Sequence, residues 1–192
     1  MRRLMKAVYD VDDTLWGLNE QAYKLAGLTV DDAKYYRVQE NPLLTDEQRK
    51  LIMDGFCDPE VFKRCVFYEG YTRIFDIDRD GKAHVHISSA NTNFEVMNIK
   101  KPRLINEVPN IKPDNIKMTI LTGSHLGQER EPGDILVDDN ILNIIKSNFP
   151  YNILMSQPHN RNIIMPFDKN IIRVESLMQA VDIVESIIEK NM

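Results

Sequence analysis

The chain contains 192 residues, a length typical of one domain or of one domain that carries a smaller insertion. This length excludes repeat arrays and large multidomain assemblies. Apolar residues make up 43% and charged residues 28% of the sequence, which is close to the composition of an ordinary globular protein. The formal net charge of -5 argues against broad electrostatic binding to nucleic acid polymers or to anionic membranes.

Near the start of the chain, Lys6 and Asp10 interrupt the apolar stretch that a secretory signal needs. No apolar run approaches the roughly 20 residues of a membrane span. The two cysteines, Cys57 and Cys65, form neither a disulfide framework nor a zinc-binding pattern. We therefore expect a cytoplasmic protein without a membrane partner.

Six short apolar runs rich in Val and Ile predict strands, and their alternation with helix-length segments is typical of a mainly parallel α/β sheet. An amphipathic helix is predicted after the fourth strand, from Ile141 to Phe149, and another near the end of the chain, from Leu177 to Ile188. The predicted strands are 4–9, 84–87, 118–121, 134–137, 152–155 and 171–174.

The segment between the first two predicted strands is far longer than one crossover helix needs. Thr45 with Gln48 predicts a capping box at a helix start, and Asp58 followed by Pro59 predicts another helix start. We interpret residues 17–68 as a small helical cap. The core domain would then consist of residues 1–16 and 69–192.

The first predicted strand ends in an acidic group with a threonine, Asp10, Asp12, Asp13 and Thr14. The carboxyl ends of the strands are where open α/β sheets bind ligands. Asp10 and Asp12 could divide the chemistry, because one carboxylate can hold Mg²⁺ and attack while the other transfers a proton. Alternatively, Asp13 or Thr14 only caps the following helix.

Two further strand ends carry polar residues. The fourth predicted strand ends in Asp138 and Asp139, and two neighbouring strands that both end in acids would repel each other without a divalent cation. The second predicted strand ends in Ser88 and Ser89, whose hydroxyls and backbone amides would suit a phosphate at a helix start. Together these residues predict a Mg²⁺ and phosphate site.

The order and spacing of these three elements resemble the haloacid dehalogenase (HAD) superfamily of phosphotransferases. The resemblance implies a three-layer, Rossmann-type α/β fold whose parallel sheet carries an inserted cap. Within that superfamily, the chain looks like a 5′(3′)-deoxyribonucleotidase. The features that carry this closer resemblance are the helical cap, the segment 55–62 before the turn at 68–70, and the segment 157–161.

The resemblance also implies residue roles. Asp10 would be the nucleophile, and Asp12 would protonate the leaving oxygen and then activate water. Mg²⁺ would be bound by the Asp10 side chain, the Asp12 backbone carbonyl and one acid of the fourth motif, either Asp138 or Asp139, with Asp138 favoured for direct coordination.

The phosphate would be held by Ser88, by backbone amides near Ser89, and by a lysine that the family carries near the end of the third strand. That stretch contains no lysine here. His125 lies about where the lysine belongs, and Arg130 follows a few residues later. Histidine titrates near neutral pH, whereas arginine is always charged. Lys117 and Arg161 are further candidates for this cation.

We therefore expect a Mg²⁺-dependent phosphomonoesterase of the 5′-nucleotidase type, acting on a small phosphate ester such as a deoxynucleoside monophosphate. Aromatic cap residues would bind the base, with Tyr36 and Phe56 favoured over others that belong to the core. The alternatives are a HAD phosphatase for another small phosphate ester and a degenerate member that binds nucleotides without hydrolysing them. The oligomeric state is left open, and a homodimer is one alternative. The aromatic candidates are Trp16, Tyr35, Tyr36, Phe56 and Phe62.

Overall fold

The structure is a computed structural model that describes residues 3–120, 132–166 and 170–192. Within these ranges it contains one six-stranded sheet in which every neighbouring pair is parallel, in the order β3-β2-β1-β4-β5-β6. All six predicted strands are confirmed, with differences at their ends. The strands are β1 (Met5–Tyr9), β2 (Ala83–Asn91), β3 (Ile116–Ile120), β4 (Ile135–Asp138), β5 (Tyr151–Met155) and β6 (Ile171–Val174).

Seven α-helices occur in the described ranges, and the first four of them lie between β1 and β2. None of these helices combines the length and the hydropathy that crossing a bilayer would require. Short 3₁₀ turns cover Val30–Asp32, Val38–Glu40 and Pro113–Asn115. The helices are α1 (Leu18–Leu25), α2 (Asp46–Gly55), α3 (Pro59–Arg64), α4 (Tyr71–Arg79), α5 (Phe94–Glu107), α6 (Ile141–Lys146) and α7 (Leu177–Asn191).

The two helix starts predicted in the inserted segment are confirmed. Thr45 Oγ1 accepts a hydrogen bond from the Gln48 backbone N–H (3.1 Å), and Gln48 Oε1 accepts one from the Thr45 N–H (3.0 Å), which completes the capping box of α2. The Asp58 carboxylate accepts from the N–H of Glu60, with Pro59 in the first turn of α3.

Apolar side chains cover both faces of the sheet, as a parallel sheet requires. Tyr9 and Val137 belong to a large core packed under helices that include α5 and α7. Val8 and Leu136 point to the other face and pack with α6. A third, small cluster joins α1 and α2 and lies wholly within residues 22–52, inside the predicted cap. Its buried members are Ala22, Tyr23, Ala33, Val38, Leu44 and Ile52.

The helix after β4 is shorter than predicted. It ends at Lys146, and Ser147 has an extended backbone (ψ 155°). Pro150 disfavours helical geometry in the residue that precedes it, so Phe149 reaches the core from outside the helix. Ile145, which the sequence pattern places on the apolar stripe, is 40% exposed.

Strand β2 is longer than predicted and changes the setting of the two serines. Its residues Ser88 and Ser89 pair with Lys117 and Met118 of β3, so they lie in the sheet. Helix α5 begins only at Phe94, where the Asn93 side chain caps it. The prediction that the serines stand at a helix start is therefore wrong, because pairing with β3 keeps this polar stretch extended.

Candidate active site

Three strands meet at the predicted ligand edge. Tyr9 of β1 is in register with Ile87 of β2 and with Val137 of β4, so the residues that follow them, Asp10, Ser88 and Asp138, come to the same edge side by side. The Asp10 N–H donates to the Val137 carbonyl at 2.9 Å, which fixes the start of the loop after β1. The strand order thus gathers residues that are far apart in sequence.

Three carboxylates form a compact, buried cluster at this edge. One oxygen from each of Asp10, Asp138 and Asp139 lies within 4.8 Å of the others, and all three residues are less than 9% exposed. Asn143 Nδ2 donates to both oxygens of Asp138, at 3.2 and 3.0 Å, which fixes its plane. An all-oxygen set of carboxylates is the donor set that Mg²⁺ prefers, so these residues fit the predicted metal.

Asp12 is not part of this cluster and contacts a buried lysine. Its Oδ2 accepts a short hydrogen bond from Lys100 Nζ, and its Oδ1 accepts one from Trp16 Nε1 at 2.9 Å. Lys100 is completely buried in α5 and also donates to Ser89 Oγ at 3.1 Å. A positive charge therefore lies beside the second acid of the first motif.

The loop between Asp10 and Trp16 is held in an unusual conformation by Asp13. This residue has a left-handed backbone (φ 54°), which is uncommon for a residue with a side chain, and its Oδ1 accepts from the Asn19 N–H at 2.9 Å. Burial, followed by the charge of Asp139, raises the pKa of Asp13 well above its usual range. Through its hydrogen bond to Asn19, Asp13 stabilises the start of α1, which agrees with the alternative that Asp13 caps the following helix.

Asp139 lies between the acidic cluster and a buried histidine. Its Oδ1 accepts a hydrogen bond from the Thr14 hydroxyl at 3.4 Å. Its Oδ2 lies 3.2 Å from His159 Nε2, but these two atoms do not form a hydrogen bond. Burial lowers the pKa of His159, while the charge of Asp13 acts in the opposite direction. His159 therefore lies directly beside the acidic cluster.

A cavity of about 340 Å³ opens above these residues. Its floor includes Asp10 and Asp12, and both favoured aromatic residues, Tyr36 and Phe56, are in its wall. The Tyr36 hydroxyl accepts a hydrogen bond from Asn140 Nδ2, so the inserted segment contacts the loop after β4 across the cavity. The wall also contains Tyr35, Arg37, Val38, Gln39 and Met53.

Comparison of the sequence with protein-family models and with curated proteins finds no match. Solved structures do match the fold. A haloacid dehalogenase-like hydrolase from Streptococcus pneumoniae has a TM-score of 0.56 at 9% identity, covering 94% of this chain and 98% of that one. A hydrolase from Pseudomonas syringae has a TM-score of 0.55 at 14% identity, covering 95% and 99%. The chain has the haloacid dehalogenase fold.

A third match has the same HAD fold. A protein from Lactobacillus delbrueckii, assigned as a phosphoglycolate phosphatase, has a TM-score of 0.53 at 11% identity and covers 97% of this chain and 99% of that one. These structures extend over nearly the whole chain, so the six-stranded sheet and its inserted helices belong to one fold. At these identities, the similarity shows the fold alone.

On this HAD fold, the predicted site residues separate into groups. Asp10, Asp12, Asp138, Asp139, Ser88 and Ser89 converge at the sheet edge. The two predicted lysine substitutes, His125 and Arg130, lie outside the described residues. Of the further candidates, Lys117 is on β3, and Arg161 lines a different cavity; neither lines the cavity above Asp10.

Two aromatic candidates, Trp16 and Phe62, are completely buried. The expectation that most of the five belong to the core is therefore wrong, because the other three, Tyr35, Tyr36 and Phe56, line the cavity. Tyr35 and Tyr36, by contrast, are 40% and 46% exposed, and their position in the cavity wall leaves them accessible to a ligand.

Lys100 is the most important site residue that the sequence analysis does not predict. The sequence carries one signal for it, because Val96, Lys100 and Leu104 recur at helical spacing on one face of α5 and all three are completely buried. A lysine inside an apolar stripe needs a charged partner. Asn143, His159 and the contact of Trp16 with Asp12 are the other unpredicted parts of the site.

Proposed function

We propose that this chain is a Mg²⁺-dependent phosphomonoesterase that hydrolyses deoxynucleoside monophosphates. The observation that carries the proposal is the buried group of three carboxylates, Asp10, Asp138 and Asp139, which faces a cavity beside the Asp12–Lys100 pair. Structural similarity to hydrolases of the same fold supports the reaction class. We also propose that the protein is cytoplasmic and that residues 17–68 form its cap.

Asp10 and Asp12 have separate duties in this proposal. The Asp10 carboxylate attacks phosphorus and displaces the ester oxygen, forming an aspartyl-phosphate. Asp12 gives its proton to the departing oxygen and then removes a proton from the water that hydrolyses the aspartyl-phosphate. The two acids lie in different surroundings, since Asp10 belongs to the acidic cluster that would hold Mg²⁺ and Asp12 is hydrogen-bonded to Trp16 and Lys100.

Bound Mg²⁺ would reduce repulsion between the carboxylates and the phosphate, and it would be held by Asp10 and by Asp138 or Asp139. Asn143 keeps Asp138 oriented for this purpose through its two hydrogen bonds. Preorganised ligands of this kind lower the cost of assembling a metal site.

We assign to Lys100 the role of the family's lysine, for which the sequence favours His125 or Arg130. The Lys100 ammonium group contacts Asp12 and Ser89, and the side chain is completely buried and is not itself among those that line the cavity. A fixed cation in a dry site stabilises negative charge that develops during transfer. Its presence also favours turnover over the alternative in which the chain only binds nucleotides.

The proposed preference for nucleotides is based on the residues that form the cavity wall. Tyr35, Tyr36 and Phe56 offer flat apolar surfaces above the acids, and Arg37 and Gln39 offer hydrogen-bond donors. The second candidate is a phosphatase for a smaller ester, which the Lactobacillus delbrueckii protein assigned to phosphoglycolate favours. The two candidates share the chemistry at Asp10 and differ in what the cap contacts.

A phosphate-release screen tests the proposal. The purified chain is incubated with deoxynucleoside monophosphates, ribonucleoside monophosphates, phosphoglycolate and sugar phosphates, with Mg²⁺ or with EDTA. We expect Mg²⁺-dependent release that is fastest with a deoxynucleotide and that Asp10→Asn abolishes without a change in melting temperature. Activity that survives EDTA, or an Asp10→Asn variant that retains a tenth of the rate, would refute the mechanism.

A further inference from the structure

The side chain of Trp16 contacts the proposed general acid from behind the cavity. Its Nε1–H donates to Asp12 Oδ1 at 2.9 Å, the residue is completely buried, and it is not among those that line the active-site cavity. An indole N–H can only donate a hydrogen bond. The contact therefore requires a lone pair on Oδ1 and fixes which oxygen of Asp12 faces Trp16.

Lys100 holds the other oxygen of the same carboxylate. With Trp16 on Oδ1 and Lys100 on Oδ2, the Asp12 side chain cannot rotate without breaking one of these two contacts. Lys100 also donates to Ser89 Oγ and brings a positive charge to this edge of the sheet, so it serves charge as well as orientation. Trp16 carries no charge and lies away from the substrate, so orientation is the contribution that its N–H can make.

The backbone around Trp16 is itself firmly placed. Trp16 forms an antiparallel bridge with Phe67, where the chain returns from the inserted segment, and the Tyr68 N–H donates to the Leu15 carbonyl at 2.8 Å. The Phe67 ring packs 5.3 Å from the indole, and the guanidinium of Arg103 lies 5.0 Å from it. The outgoing and returning chains thus clamp the indole in one orientation.

We propose that Trp16 is a positioning residue that holds the Asp12 carboxylate in the orientation in which it passes its proton to the leaving oxygen. This inference rests on the proposed function, because it assigns Asp12 the role of general acid. It adds that the junction between the core and the inserted segment sets the geometry of the reaction.

The kinetic test compares two leaving groups. A nucleoside alkoxide needs a proton from Asp12, whereas p-nitrophenolate leaves without one, and kcat/KM reports the steps up to that departure. We expect Trp16→Phe to lower kcat/KM about tenfold for the deoxynucleotide, or for whichever alkyl phosphate the release screen identifies, and less than twofold for p-nitrophenyl phosphate. In the Asp12→Asn background, Trp16→Phe should cause no further selective loss.

Phe67→Leu is the matched control. It removes an aromatic neighbour of the indole but leaves the N–H and its acceptor in place, so it should lower the melting temperature without altering the ratio of kcat/KM values. An equal loss for both substrates in Trp16→Phe would overturn the proposal. A selective loss that persists in the Asp12→Asn background would overturn it too.

A spectroscopic test does not depend on activity. The chain contains a single tryptophan, so a ¹H–¹⁵N correlation spectrum shows one indole cross-peak. Asp12→Ala should move this peak upfield, whereas Asp46→Ala, whose side chain is fully exposed, should leave it unchanged. An unmoved peak in Asp12→Ala would refute the contact even if the chain is an active phosphatase. A moved peak in an inactive chain would refute the proposed function alone.

Discussion

Replacing Lys100 with methionine removes an ammonium group that contacts Asp12 and Ser89 and keeps most of the apolar stem. The lysine side chain is completely buried, and that of Asp12 is 21% exposed. Breaking a fully buried ion pair costs about 3 to 5 kcal/mol because the remaining charge is left without a partner. Water can reach Asp12, so we expect a smaller loss of unfolding free energy, about 1 to 3 kcal/mol.

The effect of Lys100→Met on the rate should be larger than its effect on stability. A fixed donor directed at developing negative charge contributes about 10² to 10³ in rate. We therefore expect kcat/KM for the best substrate to fall by about 10² to 10³, while the melting temperature falls by roughly 2 to 12 °C, at about 2 to 4 °C per kcal/mol for a chain of this size. Phosphate release and calorimetry measure the two quantities.

Lys101→Met is a matched control on the same helix. Lys101 lines an apolar cavity with Phe94 and Met118, away from the acids, so its loss should leave the rate within twofold. His125→Ala and Arg130→Ala should each cost less than tenfold if Lys100 supplies the cation. A normal rate in folded Lys100→Met, or a large loss in Arg130→Ala, would refute the assignment.

Two further predictions concern the metal site and the cavity wall. Asp138→Ala should raise the Mg²⁺ concentration needed for half-maximal activity more than Asp139→Ala does, because Asn143 orients Asp138 for direct coordination; the reverse order in a Mg²⁺ titration would exchange their roles. Phe56→Leu should raise KM for a deoxynucleoside monophosphate about tenfold, or 1.4 kcal/mol, and leave p-nitrophenyl phosphate nearly unaffected. Equal changes for both esters would mean that Phe56 does not contact a base.

The strands and the acidic strand ends could be predicted because their signals are local. A strand buried on both faces is a continuous apolar run, and the acids at 10 and 138 directly follow such runs. The end of β2 could not be predicted in this way. Ser88 and Ser89 look like a loop by composition, and only their pairing with Lys117 and Met118 keeps them in the sheet.

The cation and the positioning contacts depend on tertiary packing. Lys100 lies 88 residues from Asp12 in sequence, and the hydrogen bond between Tyr36 and Asn140 joins residues 104 apart. No local pattern encodes such distances. The family resemblance predicts this cation near residue 125, whereas the buried charge is on α5, the helix that follows β2.

The central position of β1 has a consequence for how the chain is made. One edge of β1 pairs with β2, and the other pairs with Ile135, Leu136 and Val137 of β4. During synthesis, the second edge stays open until those residues have left the ribosome, because no earlier strand in the described part of the chain pairs with it. The strand that leads into Asp10 is therefore a ready template for pairing with another chain while the nascent protein is incomplete. Nascent chains stalled before residue 135 should aggregate or bind chaperones more than those stalled after β5 has emerged.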